Sequence, residues 1–246
     1  MQPLILLAPS EEKAAGGKAG RLPESPAQRW VRERLADLAV HGTPEAQRKA
    51  FEVKDAALEK ARAEALALKG SVKLLPALAR YQGVAFGALD AATLPAEAWA
   101  RTYILSNLRG LVRGDEPVPP YKLKLGGLPG LKAHWKKALA PQLAALPEGE
   151  VWALLPKDHA DLLGAWDRPR HTVEIVDGEG RTISHWSKLY RGLLARWILQ
   201  HGQGDPKKVA KATLEACRVA GSEPNAVGGT QLTLVVAPQV KPRGKG

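Results

Sequence analysis

The sequence predicts a single α+β domain, a mixed β-sheet surrounded by helices, and three observations carry that prediction. Strand-like and helix-like stretches interleave without the regular alternation of a βαβ series. Neither an internal repeat nor a Gly/Ser/Pro-rich linker divides the chain. At 246 residues and 45% apolar composition there is enough material for one core. The expected domain covers 1–237, and 238–246 are expected to form a basic flexible tail.

The elements follow in order. Residues 3–8 are continuously apolar between prolines and read as a short buried strand. Residues 9–26, rich in Gly, Ser and charge, read as a surface loop. A first helix is expected over 26–41. A second, with Thr43 as N-cap and Pro44 at its first position, is expected to run unbroken to 68. Residues 74–89 read as two helical turns broken at Gln82-Gly83, and 102–112 as a strand followed by a glycine turn. Prolines force 118–125 to be extended. Helix is expected over 128–146 and 157–166, with a strand at 150–155 between them. Residues 171–176 and 181–186 read as a hairpin around Asp177-Gly-Glu-Gly180. Helices over 187–200 and 206–220 and a last strand over 230–236 complete the chain.

Composition narrows the function classes. One cysteine, Cys217, excludes a disulfide framework and any Cys-rich metal centre, and fits a reducing compartment. The His, Cys, Asp and Glu spacings suggest no metal site and no cofactor, and no P-loop, dinucleotide or nucleophile-elbow motif occurs. The N-terminal apolar run is far too short for a membrane span or signal segment, so a soluble, cytoplasmic chain is expected. The formal charge of +11 is unevenly placed: 101–141 and 181–211 each carry +6, and 142–180 between them carry −5. Two basic blocks split by an acidic one fit one anion-binding site built from both, or cations spread over unrelated faces.

Helical spacing over 187–200 puts Lys188, Arg191 and Arg196 on one side and Leu189, Tyr190, Leu193, Leu194 and Trp197 on the other. Gly192 lets something approach that cationic side closely. The helix carries no acid to pair with its cations, so it reads either as a solvated amphipathic helix or as a phosphate-facing one. In 119–125, alternation sets Lys122 and Lys124 on one face and Tyr121, Leu123 and Leu125 on the other. Arg109 and Arg113 precede them. These side chains suit phosphate oxygens, and an edge strand guarded by lysines is the alternative. Leu128-Pro-Gly-Leu-Lys-Ala-His-Trp resembles half of a helix-hairpin-helix phosphate clamp, although Lys132 replaces its second glycine. Tyr81-Gln-Gly-Val-Ala-Phe-Gly-Ala-Leu89 is a comparable helix–Gly–helix turn, and both fit ordinary capped turns equally. The seven tryptophans read as core and interface filler.

Four motifs in one order resemble the YaaA family of bacterial peroxide-stress proteins, also called UPF0246. They are Leu4-Ile-Leu-Leu-Ala-Pro-Ser-Glu-Glu-Lys13; Arg80-Tyr-Gln-Gly-Val-Ala-Phe-Gly-Ala-Leu89; Leu105-Ser-Asn-Leu-Arg-Gly-Leu-Val-Arg113 with Asp115 and Pro120-Tyr-Lys-Leu123; and Ile183-Ser-His-Trp-Ser-Lys-Leu-Tyr-Arg-Gly192 with Arg196. Leu189 stands where the family has a second lysine, Lys122 where it has arginine, and Leu154-Leu-Pro-Lys-Asp-His-Ala160 lacks the polar residues of a family strand and turn. The resemblance implies one α+β domain with a basic cleft and a helix-hairpin-helix-like element that binds DNA. It also implies a role in limiting oxidative damage with lowered free iron. With one Cys and one Met the sequence itself argues against direct peroxidase or iron-storage chemistry.

The resulting expectation is a monomeric protein that binds double-stranded or branched DNA and is not itself an enzyme. Ser10, Lys13, Arg109, Arg113, Lys122, Lys124, Lys188, Arg191 and Arg196 would contact phosphate, and Tyr81 or Tyr121 would stack on an exposed base. The alternative is a DNA- or nucleotide-modifying enzyme, with Lys188 as nucleophile and Asp115 or Glu116 as proton acceptor.

Overall fold

A computed structural model describes residues 2–214 and 217–237, without the side chains of Ser184 and His185; the expected basic tail lies outside these residues. The chain opens with β1 (Leu4–Leu7), four wholly buried aliphatics, as a strand covered on both faces requires. Each such side chain contributes roughly 1.5–3 kcal/mol by leaving water. β2 (Lys18–Gly20) follows inside the segment expected to be loop.

Helix α1 (Pro26–His41) begins with a reciprocal cap: Gln28 N donates to Ser25 Oγ at 3.3 Å and Ser25 N donates to Gln28 Oε1 at 3.0 Å. Thr43 caps α2 (Pro44–Phe51) as the sequence predicts, but that helix stops early. Glu52 takes a left-handed conformation, φ 54°, and α3 (Asp55–Ala67) starts afresh. The single helix expected to reach residue 68 is therefore two. β3 (Val72–Pro76), α4 (Ala77–Arg80) and α5 (Val84–Leu89) come next, the last two broken at Gln82-Gly83 as expected. After α6 (Ala96–Ala100), β4 (Thr102–Ser106) turns back into β5 (Gly110–Arg113). The turn needs Gly110, φ 72°, because a Cβ there would sit 2.7 Å from the buried Trp135 ring.

β6 (Pro117–Val118) leads through extended chain and turns to α7 (Leu131–Ala138), α8 (Ala140–Ala144) and β7 (Val151–Leu154). No helix lies in 119–130, so the turn before Leu131 has no partner helix preceding it. The remaining elements are α9 (Lys157–Ala160), β8 (Thr172–Val176), α10 (Ser184–His201), α11 (Pro206–Val209), β9 (Cys217–Pro224) and β10 (Thr230–Val236).

The expected mixed α+β domain is present, but in place of one mixed sheet there are three small ones. The central sheet has the order β5-β4-β1-β7, with β4, β1 and β7 parallel. The second is β8-β10-β9 and the third β2-β3-β6. Two further expectations change with them. The partner of β8 is the distant β10, in parallel, rather than residues 181–186, which touch it through the Val176–Thr182 bridge. The helix expected over 206–220 ends at Val209, and Cys217–Pro224 pairs with β10 instead. Among the described residues no helix is long and apolar enough to cross a membrane.

Candidate functional site

Parallel strands direct their carboxyl ends to one edge, where ligand sites of open sheets tend to form. Here β1 runs out into loop 8–13 and β4 into the 106–109 turn. Loop 8–13 is fixed by its own serine, because Glu12 N donates to Ser10 Oγ at 3.1 Å and Ser10 Oγ donates to the Glu12 carbonyl at 3.0 Å. A bridge between Lys13 and Tyr81 then joins this loop to the α4–α5 turn. Beneath the bridge Arg80 is 0% exposed, its guanidinium donating to the carbonyls of Val118, Ala14, Gly16 and Lys73. Four carbonyls from three backbone segments thus hang on one side chain, a role the sequence does not signal.

Lys13 extends over two tyrosines. Its Nζ lies 4.0 Å from the Tyr121 ring centre and 5.4 Å from that of Tyr81, and donates to the Ser10 carbonyl at 2.9 Å. Tyr81 and Tyr121 meet hydroxyl to hydroxyl at 2.9 Å, and Ser106 Oγ continues the chain to Tyr121 at 2.9 Å. Burial raises both phenol pKa values. It also lowers the Lys13 amine to about 7, helped by the Lys122 and Arg80 charges and opposed by Glu64 and Glu11. The two tyrosines are 2% and 1% exposed, so neither ring is offered to a base in this conformation.

The lysines of the first basic block lie alongside. Lys122 Nζ donates to the Glu11 carbonyl at 3.0 Å, and Lys124 Nζ pairs with Glu52 Oε1 at 2.7 Å. Glu11 and Glu52 are hydrogen-bonded carboxyls, with Glu11 raised by burial and by the Glu52 charge. Burial also pushes Glu52 upward, but hydrogen bonds from Lys124 and Glu11 and the charges of Lys124 and Lys188 outweigh it and hold Glu52 down. Lys188, exposed on α10, acts on both carboxyls. One lysine from each basic block therefore reaches the same pair of acids. Glu52 does so because of the left-handed break after α2, which helical periodicity did not reveal.

Other expected site residues are placed differently. Arg196 donates to the carbonyls of Leu89 and Asp90 at 3.0 and 3.1 Å and pairs with Asp90 Oδ2 at 3.1 Å, closing the end of α5. Arg191 is half-buried, its Nη1 donating to Ser187 Oγ at 3.0 Å while its buried Nε has no partner among the described residues. Between them Gly192 touches α5, where a Cβ would lie 2.2 Å from the Ala85 carbonyl oxygen. The close approach expected at this glycine is made by the protein's own backbone. Arg113 pairs with Asp115 at 2.5 Å on the surface. Glu116 accepts from Ala77 N through its carbonyl at 2.8 Å, and the acids that feel Lys188 are Glu11 and Glu52. Arg109 is half-buried and lines a separate pocket.

Fold and site together define a mixed α+β protein whose lysine–tyrosine–carboxyl cluster sits at the carboxyl ends of parallel strands. A family model described as peroxide stress protein YaaA matches residues 4–221, and the chain belongs to that family. It is similar to a UPF0246 protein of Corynebacterium glutamicum ATCC 13032, 35% identical over 256 aligned positions that cover 95% of this chain and 100% of the relative. A UPF0246 protein of Streptomyces coelicolor is 31% identical, covering 95% and 97%. One from Corynebacterium efficiens is 34% identical, covering 78% and 83%.

Proposed function

We propose that the chain binds the DNA backbone, within the peroxide response that its family name describes, through the lysine-bearing surface formed by loop 10–13, residues 121–124 and α10. The observation that carries this reading is the convergence of Lys124 and Lys188 on Glu11 and Glu52. Lys122 makes its bond to a neutral carbonyl and keeps its charge for a phosphate. Burial and the Glu52 charge raise the Glu11 carboxyl pKa, and the Lys188 and Lys124 charges oppose that rise. Arg196 acts as a positioning residue for α5, and Ser10 shapes the loop. Binding of duplex and branched DNA is expected to weaken steeply with salt. A Lys122→Ala/Lys188→Ala double variant should lose about tenfold in affinity and show a salt slope shallower by about two. Affinity that ignores salt, or is unchanged in the double variant, overturns the reading.

A second reading, a DNA-modifying enzyme, is favoured by the low Lys13 amine and moves the nucleophile from Lys188 to Lys13. The neutral Nζ would attack the aldehyde carbon of an abasic deoxyribose, the carbonyl oxygen would leave as water, and an imine would join lysine and sugar. Borohydride reduction of that mixture should give a stable adduct at Lys13, absent from Lys13→Arg. No adduct, or one at another lysine, rules this reading out.

A further inference from the structure

A cavity of about 380 Å³ opens among the loop after β2, α1, the α3–β3 turn and the β4–β5 turn. Arg21, Lys69 and Arg109 contribute cations to its wall, while Arg32 is already forked onto Glu24 at 2.8 and 2.9 Å. The one carboxylate in the wall, Glu24, is paired with Arg32 and Arg29, and among the described residues no carboxylate forms an ion pair with Arg21, Lys69 or Arg109, so the wall carries an excess of positive charge. Arg109 is the most telling of the three. Its Nε is buried without a partner, and its Nη1 makes one long bond, 3.4 Å, to the Pro117 carbonyl. A buried guanidinium N–H left without an acceptor is costly, and a ligand oxygen in the pocket would relieve it. Leu22, Leu68 and Pro119 supply an apolar remainder of the lining. Cations over one part and apolar side chains over the rest match a phosphate carried on a small organic group, and the volume lies in the range of small-ligand sites.

We propose that this pocket binds a phosphate monoester of mononucleotide size, either a free nucleotide or the phosphorylated terminus of a nucleic-acid strand. The site shares only Arg109 with the residues expected to bind the DNA backbone, and it stands whether or not that binding occurs.

The test titrates the full chain with deoxyadenosine 5′-monophosphate and, separately, with deoxyadenosine. The monophosphate is expected to bind, the nucleoside to bind at least about tenfold more weakly, and inorganic phosphate to compete. Arg21→Ala and Lys69→Ala, both at exposed positions whose fold a thermal melt can verify, should each weaken the monophosphate about fivefold or more. Lys69→Ala should leave salt-dependent duplex binding unchanged, which separates failure here from failure of backbone binding. Equal binding of nucleotide and nucleoside, no binding of either, or wild-type affinity in both variants overturns the proposal. Duplexes with 5′-phosphate or 5′-hydroxyl ends then identify the source. Displacement by the phosphorylated duplex alone points to strand ends, and displacement by neither points to free nucleotide. Equal displacement by both means that internal phosphates enter the pocket, and the monoester proposal fails.

Discussion

The two basic stretches look alike in sequence and behave differently in the fold. In the first, Lys122 and Lys124 stand on extended chain above buried Tyr121 and Leu123, with their amines at the surface beside loop 10–13. In the second, all three cations share one side of α10, yet that side is where the helix meets α5 across Gly192. Arg196 and Arg191 are consequently drawn into packing, and Lys188 keeps an exposed position. Net charge counts residues, whereas a ligand meets only those cations the protein has not already used.

The largest effect that would sharpen this contrast is Gly192→Ala. The added methyl cannot fit against Ala85, and the clash outweighs the gain in helix propensity, so unfolding by urea should show a loss of about 2–3 kcal/mol. A variant as stable as wild type would mean that α10 and α5 are not packed this closely. Arg196→Ala comes next. Freeing the Leu89 and Asp90 carbonyls should cost about 1–2 kcal/mol while DNA affinity changes less than about twofold. Lys188→Ala should do the reverse, with stability held within about 0.5 kcal/mol and DNA affinity lowered severalfold. If Arg196→Ala weakens DNA and leaves stability intact, the two roles are exchanged. Glu52→Gln is a smaller perturbation: removing a negative charge beside Lys124 and Lys188 should tighten DNA binding by about two- to fivefold at low salt. Looser binding would mean that this carboxylate orders the lysines and does not repel phosphate.

Lys13 gives a pH signature of the buried side of the site. Its folded pKa of about 7 is below the ordinary lysine value, so the unfolded chain holds more protons between these limits. Stability should therefore rise with pH from about 7 toward 10.5, by at most about 1.4 kcal/mol per unit, and this rise should vanish in Lys13→Met. A wild-type profile as flat as that of Lys13→Met would place the amine in water.

Legibility followed the range of the forces involved. Residues 3–8 could be read as a buried strand because a strand covered on both faces needs an unbroken apolar run, and β1 is that. Thr43 with Pro44 is a local signal, so the start of α2 could be read directly, and α1 spans the 26–41 expected for it. The alternation in 119–125 put Lys122 and Lys124 on one face and Tyr121, Leu123 and Leu125 on the other, and the fold buries the second face, Tyr121 included. The break at Glu52 had no such signal, since no Gly or Pro marks it and its carboxylate is engaged by Lys124 from far along the chain. The 181–186 hairpin was misread because the Asp177-Gly turn is real but the stronger partner of β8 arrives only with β10.

By itself, then, the sequence determined the fold class, the family, the two basic blocks and the faces of the individual elements, because periodicity and capping act over a few residues. Only the tertiary structure decided which cations remain available, that Arg80 binds carbonyls of three separate segments, and that the Lys13 amine has its pKa lowered toward neutrality. Desolvation and hydrogen bonding to distant carbonyls depend on what lies on the far side of each residue, and only the folded chain supplies that neighbour.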